Sequence, residues 1–341
     1  MDKILVTGGL GFIGSHTVVE LQKEGFEVVI IDDLSNSSIE ILDRITSITG
    51  VKPLFEEIDL KEKNKVETFF KKHSDLKGVI HFAASKAVGE SVQLPLKYYE
   101  NNISTLVYML KELEKLETAN FIFSSSCTVY GQADELPITE HAPVKKAESP
   151  YGNTKQIGEE IIQDVCNINT NLKAIALRYF NPIGAHETAI IGELPIGVPQ
   201  NLVPFITQTA IGIREQLSVF GDDYPTEDGT CVRDYIHVVD LAQAHVIALK
   251  RLLESKNESN YETFNLGTGK GSSVMDVIKS FERVSGEKLN YKTVERREGD
   301  VISAYADTVK ANEVLGWKAH LTLDDAMLSA WKWEKIIRKN N

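Results

Sequence analysis

The segment TGGLGFIG, residues 7–14, constrains the fold more than any other part of the chain. It follows a short apolar run and opens a stretch with helical spacing that stops at Gly25. Gly9, Gly11 and Gly14 fit the pattern G-x-G-x-x-G. This pattern indicates a dinucleotide site only when it lies between a strand and a helix, as it does here. Such glycines let the backbone approach a pyrophosphate, and a helix N-terminus favours negative charge. The segment therefore predicts a dinucleotide-binding turn.

Apolar runs typical of strands alternate with helical stretches through the first half of the chain. The further apolar runs are 26–33, 53–60, 78–84 and 119–131, and the helical stretches between them are 61–73 and 94–117. Near-continuous apolar strands indicate a sheet that is covered on both faces. Strands that alternate with helices indicate a parallel, doubly wound α/β sheet. We predict a Rossmann domain over residues 1–180.

The pattern changes after residue 184. The segment AHETAIIGELPIGVPQNLVP is rich in Gly and Pro and predicts a long loop. Short strands mix with helical stretches afterwards, the latter at 240–253, 273–284 and 323–338. We predict a smaller C-terminal α/β subdomain over 181–341 that covers the carboxyl edge of the sheet, where ligands bind in such folds. Residues from about 233 to 253 are expected to pack back on the first domain.

The composition excludes several classes of function. The chain has 37 Lys and Arg against 49 Asp and Glu, and it has no basic stripe of the kind that nucleic-acid binders carry. Cys127, Cys166 and Cys231 are odd in number and show no C-x-x-C spacing, which argues against a disulfide framework or a zinc site. The apolar runs are too short to span a bilayer, and a strand follows Met1 directly. We expect a cytoplasmic protein with no bound metal.

Asp32 ends the second predicted strand, at about the spacing of an acid that binds an adenosine ribose. A carboxylate there repels a 2′-phosphate, and no arginine follows Asp32 and Asp33 to receive one. The pattern favours NAD over NADP. The alternative is a structural turn followed by a surface acid.

The segment SPYGNTK, residues 149–155, predicts the start of a helix, with Ser149 as its N-cap and Pro150 in the first turn. Tyr151 and Lys155 then share one face. A nearby ammonium and a positively charged nicotinamide would favour the tyrosine phenolate, which could accept a proton from a sugar hydroxyl. Ser126, at the hydroxyl-rich end of 119–131, could bind the same oxygen. An exposed Tyr/Lys pair on an ordinary helix is the alternative.

Glycine segment, ribose acid, serine-rich strand end and Tyr/Lys helix occur in the order of the extended short-chain dehydrogenase/reductase family. Within it the chain resembles the UDP-glucose (UDP-galactose) 4-epimerases. The resemblance covers nearly the whole chain and is carried by VTGGLGFIGSHT, HFAASKAVGESV, FIFSSSCTVYG, SPYGNTK, LRYFNPIGAH, NLVPFI, VFGDDYPTEDGTCVRDYIHVVDLA, FNLGTGKG and RREGD. Two residues depart from the usual pattern, Phe12 for tyrosine and Cys127 for alanine or serine.

The resemblance implies a set of binding residues. NAD contacts are expected from Gly8, Gly11, Phe12, Ile13, Gly14, Asp32, Asn36, Ser37, Asp59, Leu60, Phe82, Ala83, Lys86, Asn101, Tyr151, Lys155 and Tyr179. UDP-hexose contacts are expected from Lys86, Ser126, Tyr151, Phe180, Asn181, Asn201, Leu202, Phe220, Arg233, Tyr235, Arg297, Asp300 and Ala304. Two arginines with planar donor forks suit a diphosphate. Salt bridges to Asp234 or Glu298 are the alternative for them.

The reaction that the resemblance implies is C4 epimerisation of a UDP-hexose by oxidation, rotation of the 4-keto sugar and reduction. A 4,6-dehydratase shares the oxidation but needs an acid and a base at two positions that here hold Cys127 and Thr128. A non-catalytic NAD-binding protein is a third possibility, disfavoured because both Tyr151 and Lys155 are present.

The resemblance also bears on sugar choice and assembly. Ala304 stands where epimerases restricted to plain hexoses have tyrosine, so N-acetylated UDP-sugars are expected as further substrates. A one-residue shift would put Tyr305 at that place instead. Family members are usually homodimers that pair two helices per subunit, for which 94–117 and 150–165 are the candidates.

Overall fold

The computed structural model of the chain describes residues 1–297 and 300–339. The strands in this part of the chain are β1 Lys3–Thr7, β2 Glu27–Asp32, β3 Leu54–Glu57, β4 Leu76–His81, β5 Ala119–Ser124, β6 Leu172–Tyr179, β7 Asn181–Ile183, β8 Leu217–Phe220, β9 Val232–Arg233, β10 Tyr235–His237, β11 Tyr261–Leu266, β12 Ser272–Ser273, β13 Tyr291–Val294 and β14 Ser303–Ala304.

The α-helices are α1 Phe12–Lys23, α2 Glu40–Thr49, α3 Lys63–Lys72, α4 Val88–Gln93, α5 Pro95–Tyr99, α6 Thr105–Leu113, α7 Pro150–Ile168, α8 Leu202–Ala210, α9 Val238–Leu253, α10 Val274–Ser285 and α11 Leu323–Lys339. Two π-helical turns, Glu100–Ser104 and Ala311–Leu315, and one 3₁₀ turn, Cys127–Tyr130, complete the regular structure of the described residues.

A seven-stranded parallel sheet forms the centre of the fold, in the order β3-β2-β1-β4-β5-β6-β11. The chain runs outward from β1 to β3, returns to β4 on the other side of β1, and then continues outward. The order therefore reverses between β1 and β4, and this switch point leaves a crevice at the carboxyl ends of the strands. The predicted doubly wound α/β fold is confirmed.

Side chains of β1 show why both faces of this sheet are buried. Ile4 and Val6 join a core that includes α1, α2 and α9, whereas Leu5 joins a core that includes α3, α6 and α7. All three side chains are inaccessible to solvent. Because successive strand residues point to opposite faces, a continuous apolar run is what a sheet between two helical layers requires.

The C-terminal half builds a smaller α/β unit with its own core. It contains the pairs β7–β10 and β8–β13 and the three-stranded sheet β12-β9-β14. Helices α8, α10 and α11 enclose apolar side chains such as Phe281 and Trp331, whose rings meet edge to face at 5.5 Å. The division of the chain at residue 180 stays a prediction, and the structure adds that β11 pairs with β6 as the last strand of the large sheet.

Two predicted elements end differently from the prediction. The apolar run 119–131 is a strand only to Ser124, because Ser126 then accepts a hydrogen bond from the amide of Thr128 and starts a 3₁₀ turn. The stretch 94–117 contains α5, a π-helical turn and α6 rather than one regular helix. No helix of residues 1–297 and 300–339 has the length and hydropathy needed to cross a membrane.

Candidate active site

The glycine turn between β1 and α1 is packed so closely that it excludes side chains. Gly8 has φ +66°, and a Cβ on it would lie 2.9 Å from the amide nitrogen of Ala83. A Cβ on Gly14 would lie 2.2 Å from the carbonyl oxygen of Gly8. Gly11 forms the N-cap of α1 without a side-chain hydrogen bond, so the first amides of this helix face the crevice. The turn has the form that a pyrophosphate site requires.

Asp32 links the end of β2 to the glycine turn. Its carboxylate accepts hydrogen bonds from the amides of Leu10 (3.0 Å) and Leu34 (3.1 Å) and from Ser37 Oγ (2.7 Å). Burial raises the pKa of this carboxyl, and the Ser37 bond opposes the rise. Ser37 and Asp32 are thus in contact, while Asn36 is exposed on the same turn.

Tyr151 and Lys155 lie on the first turns of α7 as predicted. Ser149 caps this helix by accepting from the amide of Gly152 at 3.1 Å, with Pro150 in the first turn. Lys155 Nζ donates to the carbonyl oxygen of Ser124 at 2.6 Å and lies 5.9 Å from the centre of the Tyr151 ring. Both side chains are buried, which contradicts the alternative of an exposed helical pair.

The electrostatics of this pair follow from its burial. Burial raises the pKa of the Tyr151 phenol well above its ordinary value, and a hydrogen bond with Ser126 opposes the rise. Burial lowers the pKa of Lys155 to about 8, and the charge of Glu159 opposes the fall. The lysine can therefore change its charge near neutral pH, which is unusual for this residue type.

The residues predicted on the nicotinamide side surround the loop after β4. Phe82 packs against His245, with ring centres 4.7 Å apart, and the amide of Ala83 donates to Thr7 Oγ1 at 3.3 Å. Tyr179, at the end of β6, shares a hydrogen bond of 2.8 Å with Ser124 Oγ.

Lys86 and Asn101 lie farther along the same region, and both are at least partly accessible. Asn101 donates to Ser85 Oγ at 3.2 Å. Lys86 is exposed, and its Nζ lies 3.9 Å from Glu193 Oε1 in the long loop.

Asn201, predicted on the substrate side, contacts the same carboxylate as Lys86. Its Nδ2 donates to Glu193 Oε1 at 2.5 Å. Burial raises the pKa of Glu193. Glu193 therefore connects residues predicted for the two ligands, and sequence reasoning missed it, since nothing in a Gly- and Pro-rich loop marks one acid as partly buried.

The two predicted diphosphate arginines share a carboxylate. Arg297 donates to Asp300 at 2.6 and 3.2 Å, and Arg233 Nη2 lies 3.7 Å from the same residue. Asp234, one alternative partner, is instead held by the amides of Thr268, Gly269 and Ala306. Glu298, the other alternative partner, lies outside the described residues.

The remaining predicted residues lie on several different elements of the fold. Tyr235 and Asn181 are register partners in the pair β7–β10, and Phe220 lies under the Arg297 guanidinium at 5.9 Å. Leu202 begins α8 directly after its N-cap Asn201. Phe12 and Ile13 begin α1. Asp59 accepts from the amide of Lys61, and Leu60 is buried in the apolar cluster against which Ala83 packs.

Ala304 and Cys127 lie on one apolar cluster around Phe180. Ala304 is the register partner of Arg233 in the pair β9–β14. The next residue points elsewhere, because the Tyr305 ring lies against Gly271. Burial raises the pKa of the Cys127 thiol to about 12, which makes it a small, unionised side chain.

A buried polar network behind the serines is the feature that sequence reasoning missed most. Glu159 accepts from Ser125 Oγ at 2.5 Å and pairs with Arg178, whose Nη2 lies 2.6 Å from Oε2. The spacing of Lys155 and Glu159, one helical turn apart, was the available signal. Nothing local marks Arg178, which is 19 residues away on β6.

Three of the histidines make structural contacts in this fold. His81 shares a hydrogen bond of 2.8 Å with Thr7 inside the sheet, and burial lowers its pKa to about 3. His237 caps α9 by accepting from the amide of Val239, and His245 contacts the carbonyl oxygen of Leu241.

This chain is similar in sequence and in structure to known UDP-glucose 4-epimerases. A family profile described as GDP-mannose 4,6 dehydratase matches residues 5–329. UDP-glucose 4-epimerase of Mus musculus is 50% identical, over 98% of this chain and 97% of the relative. A UDP-glucose 4-epimerase structure from Stenotrophomonas maltophila with bound NAD and formylated UDP-arabinopyranose has a TM-score of 0.96 and 44% identity, with full coverage of both chains. One from Bifidobacterium longum with NAD⁺ and UDP has a TM-score of 0.95 and 43% identity, again with full coverage.

The family profile covers most of the chain, but the relative at 50% identity identifies the family more narrowly. By sequence over nearly its whole length and by structure, the chain belongs to the UDP-glucose 4-epimerase family.

Proposed function

We propose that this protein interconverts UDP-glucose and UDP-galactose at C4 of the sugar, with NAD as its cofactor. The observation that carries the proposal is the convergence of Ser126, Tyr151 and Lys155 at the carboxyl end of β5, beside the glycine turn. The shared activity of the full-length relatives supports it.

The residues of the crevice fit NAD. Side chains are excluded at Gly8 and Gly14, which leaves backbone amides and the α1 N-terminus for a pyrophosphate. The Asp32 carboxylate suits a ribose hydroxyl and disfavours a 2′-phosphate. The chemistry that NAD supplies when bound is reversible acceptance of hydride from the sugar C4.

Tyr151 is proposed to move the proton at O4. Burial raises the pKa of the Tyr151 phenol, so the phenol stays protonated unless a cation lies beside it. A charged Lys155 stabilises the phenolate, which then accepts the O4 proton and later returns it. Ser126, hydrogen-bonded to Tyr151, shares this proton and orients the oxygen.

UDP is proposed to anchor the substrate while the sugar stays loosely held. Arg233 and Arg297 offer planar forks that suit the diphosphate, with Asp300 orienting both. An anchored nucleotide with a free sugar can present either face of C4 to one proton-transfer group. That freedom is what an epimerase needs and a single-product dehydrogenase does not.

The sugar pocket is proposed to admit N-acetylated UDP-hexoses as well. Ala304 lies on the apolar cluster with Phe180, while the bulky Tyr305 ring is turned toward Gly271. This arrangement supports the position chosen by counting from Arg297. Turnover of UDP-GlcNAc by the purified protein tests the proposal, and its absence would overturn it.

A 4,6-dehydratase is the second candidate because the matching family profile carries that description. Burial keeps the Cys127 thiol protonated and leaves it a poor general base. A 4-keto-6-deoxy product from a UDP-hexose, detected by its ultraviolet absorbance in alkali, would favour this candidate.

A homodimer in the cytoplasm remains our proposal for the state of the protein. The helical stretches proposed for the contact are α5 with α6, and α7. Leu96 on α5 is 80% exposed, which suits such a contact. Sedimentation of the purified protein tests it.

One experiment tests the main proposal. The full chain is purified, heat-released nucleotide is identified by chromatography, and UDP-galactose is converted with the product ratio followed in time. We expect bound NAD and formation of UDP-glucose, with loss of activity in Tyr151→Phe. A folded wild-type protein without turnover would favour the non-catalytic alternative.

A further inference from the structure

Glu159 carries a set of contacts that the proposed chemistry does not use. It lies on α7 one turn after Lys155, and only 6% of it is exposed. Its carboxylate accepts from Ser125 Oγ at 2.5 Å and from Arg178 at 2.6, 3.0 and 3.2 Å. A buried carboxylate with this many partners holds one conformation.

The network continues from Arg178 through the core. Arg178 Nη1 donates to the Tyr130 hydroxyl at 2.9 Å, and that hydroxyl donates to Asn265 Oδ1 at 2.7 Å. These side chains are buried and belong to β6, the 3₁₀ turn after β5, and β11. Glu159 is therefore anchored by three separate parts of the large domain.

Ser125 is the middle residue of the segment that holds the active pair. The carbonyl oxygen of Ser124 accepts from Lys155 Nζ, and Ser126 is the neighbour of Tyr151 whose hydroxyl opposes the rise in the pKa of the tyrosine. A bond from Ser125 to Glu159 thus fixes the segment between these two attachments. Displacing it would move both of them together.

We propose that Glu159 is a positioning residue for Tyr151 and Lys155, which holds the turn Ser124–Ser126 and keeps a negative charge near the lysine. This inference rests on the proposed function, because it concerns the same proton transfer. It assigns to Glu159 an effect on catalysis that is exerted through Ser125 and Lys155 and not through contact with a substrate.

The effect of Glu159 on the pKa of Lys155 can be distinguished from the effects of the other titratable groups nearby. The titratable groups near Lys155 are Tyr151 and Glu159 on its own helix and His81 on β4, and Tyr179 on β6 is bonded to Ser124, whose carbonyl oxygen accepts from the lysine. Burial lowers the pKa of His81 to about 3 and raises that of Tyr179 to about 12, so both are uncharged near pH 8. Glu159, partly neutralised by Arg178, is the group that raises the pKa of Lys155.

A second buried Arg–Glu pair in this chain supplies a matched control. Arg251 donates to Glu262 at 2.8 and 3.0 Å, and Glu262 is 7% exposed. Glu262 also accepts from the amide of Glu258. None of these residues belongs to the proposed site, so Glu262→Gln disturbs a comparable pair without touching the serine turn.

The test compares pH profiles of kcat/KM for UDP-galactose in the NAD-bound full chain. Glu159→Gln should move the alkaline midpoint down by roughly one pH unit, because the lysine loses a favourable charge. Glu262→Gln should keep the wild-type midpoint. Equal midpoints in the two variants would overturn the inference, and a wild-type enzyme without activity would overturn the proposed function as well.

Ser125→Ala tests the positional part and serves if Glu159→Gln does not fold. It removes the hydrogen bond and leaves the Glu159–Arg178 charges in place. We expect kcat to fall roughly tenfold with KM nearly unchanged and the alkaline midpoint unmoved. Wild-type kcat in Ser125→Ala would overturn the positional role.

Discussion

Lys155 Nζ donates a hydrogen bond of 2.6 Å to the main-chain carbonyl oxygen of Ser124. The bond joins the start of α7 to the end of β5 and fixes the ammonium 4.9 Å from the Phe123 ring centre and 5.9 Å from that of Tyr151. A carbonyl oxygen can accept but cannot neutralise the charge. The lysine therefore stays cationic beside the tyrosine only while the pH is below its own pKa.

Activity should consequently fall as the pH rises through about 8, the pKa to which burial lowers Lys155. Lys155→Arg should lose this alkaline decline up to about pH 10, because a guanidinium stays protonated. Its kcat near pH 7 should be lower, since the planar group cannot reproduce the Ser124 contact. Profiles of kcat/KM between pH 6 and 10 measure both effects. An unchanged alkaline midpoint in the arginine variant would assign the titration to another group.

Gly14→Ala should destabilise the protein and release its cofactor. The new Cβ would lie 2.2 Å from the Gly8 carbonyl oxygen, and the strain should cost about 1–3 kcal/mol in the free energy of unfolding. Gly89→Ala on α4 is the matched control, because its Cβ would meet nothing within 4 Å. Denaturant unfolding and the amount of bound NAD are the measurements. Wild-type values for Gly14→Ala would contradict the close packing of the turn.

Arg297→Met should weaken binding of UDP roughly 10- to 100-fold through the loss of charge-assisted hydrogen bonds. Its sequence neighbour Arg296 provides the control. Arg296 bonds Asp223 at 2.7 Å and lies over the Tyr224 ring at 4.1 Å. Calorimetric titration with UDP should leave Arg296→Met within about twofold of wild type, as expected for exposed ion pairs. Similar losses in both variants would show a general effect of positive charge.

Ala304→Tyr should abolish turnover of UDP-GlcNAc while UDP-galactose is still converted within a few-fold of the wild-type rate. The added ring would occupy space on the apolar cluster that contains Phe180. Tyr305→Ala is the comparison, because its ring lies against Gly271 rather than that cluster. Steady-state rates with both sugars decide the matter. If only Tyr305→Ala changes the preference between the sugars, the gate is Tyr305.

Buried neutral histidines should make the fold sensitive to acid. Burial lowers the pKa of His245 to about 4, against about 6.5 in the unfolded chain. Between these values the unfolded chain binds the extra proton, so stability falls as the pH falls. The loss from pH 7 to 5 should be smaller by about 2 kcal/mol in His245→Gln than in wild type. An equal loss of unfolding free energy between pH 7 and pH 5 in wild type and in His245→Gln would contradict this prediction.

Local sequence signals were sufficient to predict the start of α7 and the glycine turn. Ser149 and Pro150 set the start of α7, and the four-residue spacing then places Tyr151 and Lys155 together. Ser273 caps α10 by equally local contacts, since it forms a capping box with Asp276. These features depend on backbone geometry within a few residues, and a single sequence records that directly.

Local patterns in the chain predicted the doubly wound sheet, the glycine turn and the placement of Tyr151 and Lys155 on one helix face. The packing of distant elements produced three features that no local pattern predicted: β11 completes the large sheet, Glu193 joins Lys86 to Asn201, and Glu159 holds Ser125. Periodicity and capping act over one or two turns of backbone. Contacts between residues tens of positions apart depend on how the elements pack, and they leave no regular spacing in the chain.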